Sequence, residues 1–404
     1  MERMISAFGL VVLIFVAYGL SDNRSRIQWR TVLSGIALQL VFGLLILKTA
    51  AGRAVFDGAG QAFSAVLNYT LEGSKFLFGN LALPQTVGFI FVTMVLPTII
   101  FMSALMSVLY HVGIMQKVVE VVARVMMKVM KTSGAESLAA AANIFVGQTE
   151  APLVIKPYVK TMTRSEIMCL MTGGMATIAG GVLAAFVGFG IDAGHLLAAS
   201  VMSAPAALVC AKLMIPEVEE STTAGVVKIE LPKTATNVID AAATGASEGL
   251  SLALNVAAML LAFIALIAML NGILGWGGSF VGFPNISFEM IMGYVFAPVA
   301  WLLGCPWEDC LIVGNFLGKK LMINEFVAYL DLKEQIPNIS QRSVIISTYA
   351  LCGFSNFSSI AIQVGGIGTL APEKRPTIVA LGIRSLIAGT LACLMTAAIA
   401  GIMI

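Results

Sequence analysis

Asn143-Ile-Phe-Val-Gly-Gln-Thr-Glu-Ala-Pro152 is a polar run set inside a segment, 135–160, that is apolar at both ends. A straight membrane span would strand its amide, hydroxyl and carboxyl groups in hydrocarbon, where an unpartnered polar group is costly. A helical hairpin that enters the bilayer and returns places the run at its tip instead. Lys128 and Lys131 precede the segment, and Lys156, Lys160 and Arg164 follow it. Both ends therefore belong on one basic-flanked side, which the positive-inside rule assigns to the cytoplasm.

Working outward, the chain has 404 residues, 58% of them hydrophobic and 11% charged. Soluble domains carry about 25% charged residues, so the solvent for this surface is largely lipid. The net charge of +2 argues against a nucleic-acid partner. The six cysteines are scattered through apolar segments and imply neither zinc nor a disulfide framework. His111 and His195 read as polar residues near helix ends. There is no GxxxxGK[ST] loop for ATP, and no metal motif or nucleophile–base set for an enzyme.

Residues 5–20 form a first span, followed by Arg24, Arg26 and Arg30 rather than a cleavage site. That basic cluster is cytoplasmic, so the N-terminus is expected outside. Spans follow at 33–50, 86–110, 166–190, 194–214, 240–274, 343–370 and 377–402, and the C-terminus is again expected outside. Residues 54–81 are amphipathic and lie near the outer surface. Residues 114–132 carry Lys117, Glu120, Arg124, Lys128 and Lys131 on one helical face, so they read as an interfacial helix. Residues 287–304 read as a second. Residues 216–236 form a hydrophilic cytoplasmic loop. Residues 308–332 form a second hairpin with Asn324 and Glu325 near its turn and Glu308, Asp309, Asp331 and Glu334 on its flanks.

The order span, interfacial helix, polar hairpin, broken span, span runs over 86–214 and recurs over 240–402 with opposite membrane orientation. Inverted repeats with broken segments at matching positions mark a secondary transporter and favour alternating access over a channel. The predicted fold is an all-α polytopic membrane protein with eight transmembrane helices, two re-entrant helical hairpins, interfacial helices and an inverted repeat.

Four polar clusters share mid-membrane depth: Asn143–Glu150, Thr177–Gly181, Asn324–Glu325 and Phe354–Ser359. A carboxylate at that depth costs roughly 2.5 kcal/mol or more, so Glu150 and Glu325 are expected to be paired, to face water or to be functional. The competing reading pairs Glu325 with Lys319 or Lys320 and makes Glu150 a helix-end cap beside Lys156. Gly147, Gly180 and Gly181 let the backbone unwind, or merely pack helices closely. Exposed carbonyls with the oxygens of Asn143, Thr149 and Thr177 form a hard donor set suited to sodium. Gln148, Asn356 and Ser359 suit a polar, uncharged solute. No arginine cluster faces the site for a dicarboxylate or phosphate ester.

Gly147-Gln-Thr-Glu-Ala-Pro-Leu153, Ala179-Gly-Gly-Val182, Asn324-Glu-Phe-Val-Ala328 and Cys352-Gly-Phe-Ser-Asn-Phe-Ser-Ser359 resemble the concentrative nucleoside transporter family, in its shorter bacterial form, over nearly the whole chain. The resemblance implies cation-coupled, most readily sodium-coupled, uptake of nucleosides of the uridine, cytidine and adenosine class by an elevator motion. It implies a homotrimer in the lipid of the bacterial inner membrane. Gln148, Thr149, Glu150 and Val182 would contact the nucleobase. Glu325, Asn356 and Ser359 would bind the ribose, and Phe354 would pack beside the substrate. Asn143, the Val146 carbonyl, Thr177 and the Ile178 carbonyl would ligate Na+. The corresponding division is a scaffold part at 1–113, a transport part at 114–214, a cytoplasmic loop and scaffold span at 215–286, and a second transport part at 287–404. Ser355 departs from the family's common alanine, and Thr177 stands where serine is also found. The Thr149-Glu-Ala-Pro152 sequence favours sodium over the alternative, proton coupling through Glu150 or Glu325.

Overall fold

The computed structural model describes residues 1–224, 235–280, 282–283 and 285–404, and within them every regular element is helical. The expected loop at 216–236 falls partly outside the described residues. Helices α1 (Glu2–Gly19) and α2 (Trp29–Lys48) come first. The amphipathic α3 (Ala50–Asn68) and α4 (Thr70–Phe78) follow, and α5 (Pro84–Val87) and α6 (Phe91–Met94) lead into α7 (Leu96–Val112). Gly113, in the left-handed region at φ 93°, turns α7 into α8 (Ile114–Met130). Helix α8 buries Met115, Val119, Ala123, Met126 and Met130 on one stripe, and Arg124 pairs with Glu120 on its polar side.

The first hairpin consists of α9 (Gly134–Ala142), an irregular tip, α10 (Ala151–Val154) and α11 (Lys156–Val159). A broken span follows as α12 (Arg164–Ala176) and α13 (Gly180–Gly188), and α14 (Ala193–Met214) returns. Helix α15 (Val238–Ser279) opens the second repeat. Its 42 residues extend about 63 Å, twice the roughly 30 Å of a hydrocarbon core. Then come α16 (Phe288–Leu302), the second hairpin α17 (Cys310–Met322) and α18 (Glu325–Gln335), the broken pair α19 (Gln341–Leu351) and α20 (Phe357–Leu370), and α21 (Arg375–Met403). The element order of the two repeats is therefore the expected one. Among the described residues, seven helical segments are long and apolar enough to span a membrane. The eighth expected span, 343–370, is the pair of half-helices α19 and α20, each too short to cross alone.

The apolar window of α14 is 89% buried and that of α21 is 78%, against 17% for α15. The last helix of each repeat thus forms the centre, and α15 lies at the periphery with Leu254, Leu261, Ile264 and Trp276 exposed. Helix α15 packs on α7 through Gly245 and Gly249, whose missing side chains leave room for Ser103, Ala104 and Ser107. This is the small-residue spacing that lets membrane helices approach closely. Helices α1 and α2 pack instead on α21 and α14.

Charged side chains collect the chain turns at two ends, by ion pairs at one and by hydrogen bonds at the other. At one end, Asp22 pairs with Arg164 at 2.9 Å and Arg384 at 2.5 Å, and its N–H donates to the Met214 carbonyl. There too, two capping boxes stand side by side: Ser133 with Glu136 on α9, and Thr163 with Glu166 on α12. Ser133 Oγ donates to Glu166 Oε1 at 2.5 Å, which joins the two helix starts. Lys212 from α14 completes the cluster, 2.7 Å from Glu136 and 3.3 Å from Glu217. At the other end, Arg342 donates to the Gly304 and Gly401 carbonyls and to Ser6, and Asp309 accepts from Ser340 and Ser343.

Lys212 and Glu136 are both buried, so removing the ammonium leaves a carboxylate unpaired in the interior. Lys212→Met is expected to cost about 3–5 kcal/mol, read as a lowered Tm of the purified protein in detergent. The double substitution Glu136→Gln with Lys212→Met is expected to recover most of that loss, because it removes both charges.

Candidate functional site

Breaking a helix frees backbone donors and acceptors that the helix would have used. Here the freed groups of different elements satisfy one another. The Gly180 N–H donates to the Phe145 carbonyl at 3.0 Å, tying the α12–α13 break to the first hairpin tip. The Phe354 N–H donates to the Thr177 carbonyl at 3.2 Å, tying the α19–α20 break to the α12–α13 break. Ser200 Oγ, on α14, donates to the Ile144 carbonyl at 2.8 Å. The approach is close because position 353 is glycine: a Cβ there would lie 2.9 Å from the Ala176 carbonyl carbon and 2.6 Å from Cys393 Sγ.

Two half-helices start at this depth, each capped by an asparagine. Asn324 accepts from the Val327 N–H at 3.0 Å to start α18, and Asn356 accepts from the Ser359 N–H at 2.9 Å to start α20. The caps position the next side chains. Asn356 Nδ2 donates to Glu325 Oε2 at 2.9 Å, and Gln148 Nε2 donates to Ser359 Oγ at 3.0 Å. Four of the expected residues thus form two hydrogen-bonded pairs joined through the start of α20, and all four are buried. Gln363 extends this chain: its Nε2 donates to Gln148 Oε1 at 3.1 Å and to the Met171 carbonyl at 3.0 Å. The sequence reading missed Gln363. Its signal was its position four residues after Ser359, one turn along the same helical face.

Neither competing lysine is directly bonded to Glu325, though Lys320 lies close enough for its charge to act on that carboxyl. Lys319 binds Asp331 at 2.5 Å and Glu289 at 3.3 Å, and Lys320 donates to the Ala350 carbonyl at 2.8 Å. Glu150 stands at the start of α10 without a side-chain capping bond, and Lys156 is exposed. Glu150 opens instead on a 440 Å³ cavity, with Val146 and Thr149 beside it and Ser107, Tyr110 and Glu248 contributed by α7 and α15. The Thr149 methyl faces Gly366 of α20. Val182 is buried in the core and does not line this cavity, and Phe354 is half-buried at the break.

The expected cation ligands cluster by backbone connection. Asn143 ends α9, Thr177 ends α12, and Ile178 follows in the break. Asn143 is 1% exposed, and neither its Oδ1 nor its Nδ2 has a hydrogen-bond partner. A buried amide left so costs about 1–3 kcal/mol, so its oxygen is open to a ligand. Thr177 Oγ1 donates to the Gly173 carbonyl at 2.9 Å, which leaves the oxygen free to accept. Among the described residues no group of three or more His, Cys, Asp or Glu is placed to hold a metal ion. The neutral oxygen set fits a monovalent, hard cation.

The family profile described as "Na+ dependent nucleoside transporter C-terminus" matches residues 195–401, and its N-terminal counterpart matches 8–81. A third profile, "Nucleoside recognition", matches 92–193. The chain belongs to the Na+-dependent nucleoside transporter family. An uncharacterized transporter of Bacillus subtilis, YutK, is 49% identical over 98% of each chain. Sodium/nucleoside cotransporter 1 of Mus musculus is 42% identical over all of this chain and 64% of that one. The structure of CNTnw in an inward-facing, substrate-bound state is similar at a TM-score of 0.95 and 43% identity, covering 100% of this chain and 98% of that one. A variant of CNTnw in an outward-facing state matches with the same TM-score, 0.95.

The crossing of the two breaks is sterically exacting, which a pair of glycines tests. Gly353→Ala forces its Cβ against the Ala176 backbone and is expected to destabilise the protein by about 1–3 kcal/mol, measured by thermal unfolding in detergent. Gly365→Ala, in α20 with nothing within 4 Å of its added Cβ, is expected to be neutral or stabilising by up to about 1 kcal/mol.

Proposed function

We infer that the chain carries nucleosides into the cell together with sodium, by moving its hairpin-bearing part past the α7–α15 pair. The carrying observation is the buried chain from Glu325 through Asn356 and Ser359 to Gln148 and Gln363, which joins the hairpin tips and breaks of both repeats. Its polar groups are amides, a hydroxyl and one carboxylate. That set matches a neutral solute rich in hydroxyl and amide groups. Glu325, Asn356 and Ser359 take the ribose hydroxyls. Gln148, Thr149, Glu150 and Val182 face the nucleobase, with Phe354 packed beside it. Asn143, the Val146 and Ile178 carbonyls and Thr177 hold the sodium ion.

The packing supports a mobile unit larger than the transport parts expected at 114–214 and 287–404. Helices α1 and α2 are bonded to α14, α21 and the turns beside them, so they travel with that unit. Helices α7 and α15 are the partner surface. The exposed apolar face of α15 supports its contact with lipid or with two further copies in a homotrimer. The cluster of Asp22, Arg164, Lys212 and Arg384 supports a cytoplasmic reading of that end, with both termini outside a bacterial inner membrane. With one sodium per neutral nucleoside, one net charge moves inward. A potential of 100 mV then supplies about 2.3 kcal/mol, enough for a roughly fifty-fold gradient. The second reading, proton coupling at Glu150, is favoured by one observation, the opening of that carboxylate on the 440 Å³ cavity.

Labelled uridine uptake by the purified protein in liposomes tests the reading. Uptake is expected under an inward sodium gradient, and uptake driven by a proton gradient alone would replace sodium with the second reading. Glu325→Gln is expected to lower uptake roughly tenfold to a hundredfold, the worth of hydrogen bonds to a charged acceptor. Asn143→Ala is expected to raise the sodium concentration for half-maximal uptake roughly tenfold or more. Wild-type sodium dependence in that variant would remove Asn143 from the cation site.

A further inference from the structure

We propose that Gln363 is a positioning residue that fixes which end of the Gln148 amide faces the transported solute. The proposal rests on the reading of Gln148 as a solute contact. The Met171 backbone carbonyl can only accept, so the Gln363 group 3.0 Å from it must be the NH2. The second hydrogen of that NH2 points to Gln148, 3.1 Å away, and requires an acceptor there. Gln148 therefore turns its Oε1 to Gln363 and its Nε2 to Ser359 Oγ, at 3.0 Å. Ser359 accepts that bond, which leaves its own hydrogen free to donate. The polarity of the whole relay is thus set by one helix carbonyl that cannot reverse.

The relay has no slack. Gln363 is fully buried, with 0% exposure, and Gln148 and Ser359 are buried with it. A Cβ at position 174 would sit 2.7 Å from Gln363 Nε2 and 2.8 Å from Gln148 Cβ, so Gly174 makes the room in which the two amides meet. Gln363 Oε1 has no partner, so the residue keeps its orientation at the expense of an unsatisfied acceptor. The outcome is a site that offers N–H and O–H donors from Gln148 and Ser359, and acceptor oxygens from Glu325. The solute atom that meets Gln148 is therefore an acceptor, such as a carbonyl oxygen or an unprotonated ring nitrogen of a nucleobase.

Gln363→Glu keeps the shape and removes the polarity, because a carboxyl group has at most one hydrogen for two acceptors. Gln148 then turns its NH2 towards position 363 and presents its carbonyl to the solute. Gln363→Met removes both bonds. Uridine binding to the purified protein in saturating sodium is expected to weaken roughly tenfold or more in either variant. The maximal uptake rate at saturating uridine is expected to stay near wild type. In a Gln148→Ala background the same substitutions are expected to change affinity less than about twofold, because the effect passes through Gln148. Equal losses in both backgrounds, unchanged affinity, or failure of both variants to fold would each overturn the proposal. A second readout needs no solute. With 15N-glutamine labelling, the Gln148 side-chain amide signal, identified by its loss in Gln148→Ala, is expected to exchange faster with solvent in wild type, where one N–H faces the solute site, than in Gln363→Glu, where the NH2 is turned to the buried position 363. If wild-type protein binds no nucleoside, the proposed substrate is wrong, and that exchange contrast still decides the relay: its presence supports it and its absence sinks it.

Discussion

A membrane interior supplies no water, so every backbone group released by breaking a helix must find a partner inside the protein. This requirement organises the molecule. The first hairpin tip bonds the α12–α13 break, and that break bonds the α19–α20 break. The asparagine caps of α18 and α20 then bring Glu325 and Ser359 to the same place. None of these irregular segments is stable at this depth alone. Each is stable because a neighbouring irregular segment, of its own repeat or of the other, supplies the missing donor or acceptor. A polar site at mid-membrane is thus a consequence of how the breaks satisfy one another.

The two ends of the molecule solve a different problem. Charges there are partnered across chain turns, not along one helix. Asp22 holds Arg164 and Arg384, and Lys212 holds Glu136 and Glu217. These pairs link α1–α2, α9, α12, α14 and α21 into one body at the end where the first hairpin opens. The α7–α15 pair is held by close packing of small residues, through Gly245 and Gly249. A body fixed by buried polar bonds can shift relative to the α7–α15 pair while its own bonds stay intact.

Much of this was legible in the sequence, for identifiable reasons. The run Asn143–Pro152 betrayed a hairpin because a straight span could not have satisfied it. The order of elements in the second repeat followed from the same polarity argument at Asn324–Glu325. Other features were not legible, because they depend on tertiary partners. Lys319 lies near several carboxylates, and nothing in the chain order chooses Asp331 and Glu289 for it. Helices α1 and α2 look like any apolar spans, and only packing shows that they lie on α14 and α21. Gln363 sits in a helix of ordinary appearance, and its role arises from a carbonyl on α12, far away in sequence.

The placement of the proposed cation ligands gives a way for two cargoes to be coupled without touching. Asn143 ends α9, and five residues later the same tip presents Gln148. Thr177 ends α12, and its carbonyl receives the Phe354 N–H from the break that also carries Asn356 and Ser359. An ion that engaged Asn143 and Thr177 would therefore restrain both stretches of backbone on which the proposed solute contacts Gln148, Asn356 and Ser359 are mounted. Asn143 has no internal partner, so without an ion the tip lacks one of the bonds that would hold it. Ordering the tip costs conformational entropy once, and whichever cargo binds first bears that cost for the second. Linkage then requires that the solute strengthen ion binding by the same factor. Thus a shared irregular backbone, needed first to break the helices, is also what ties the ion to the solute.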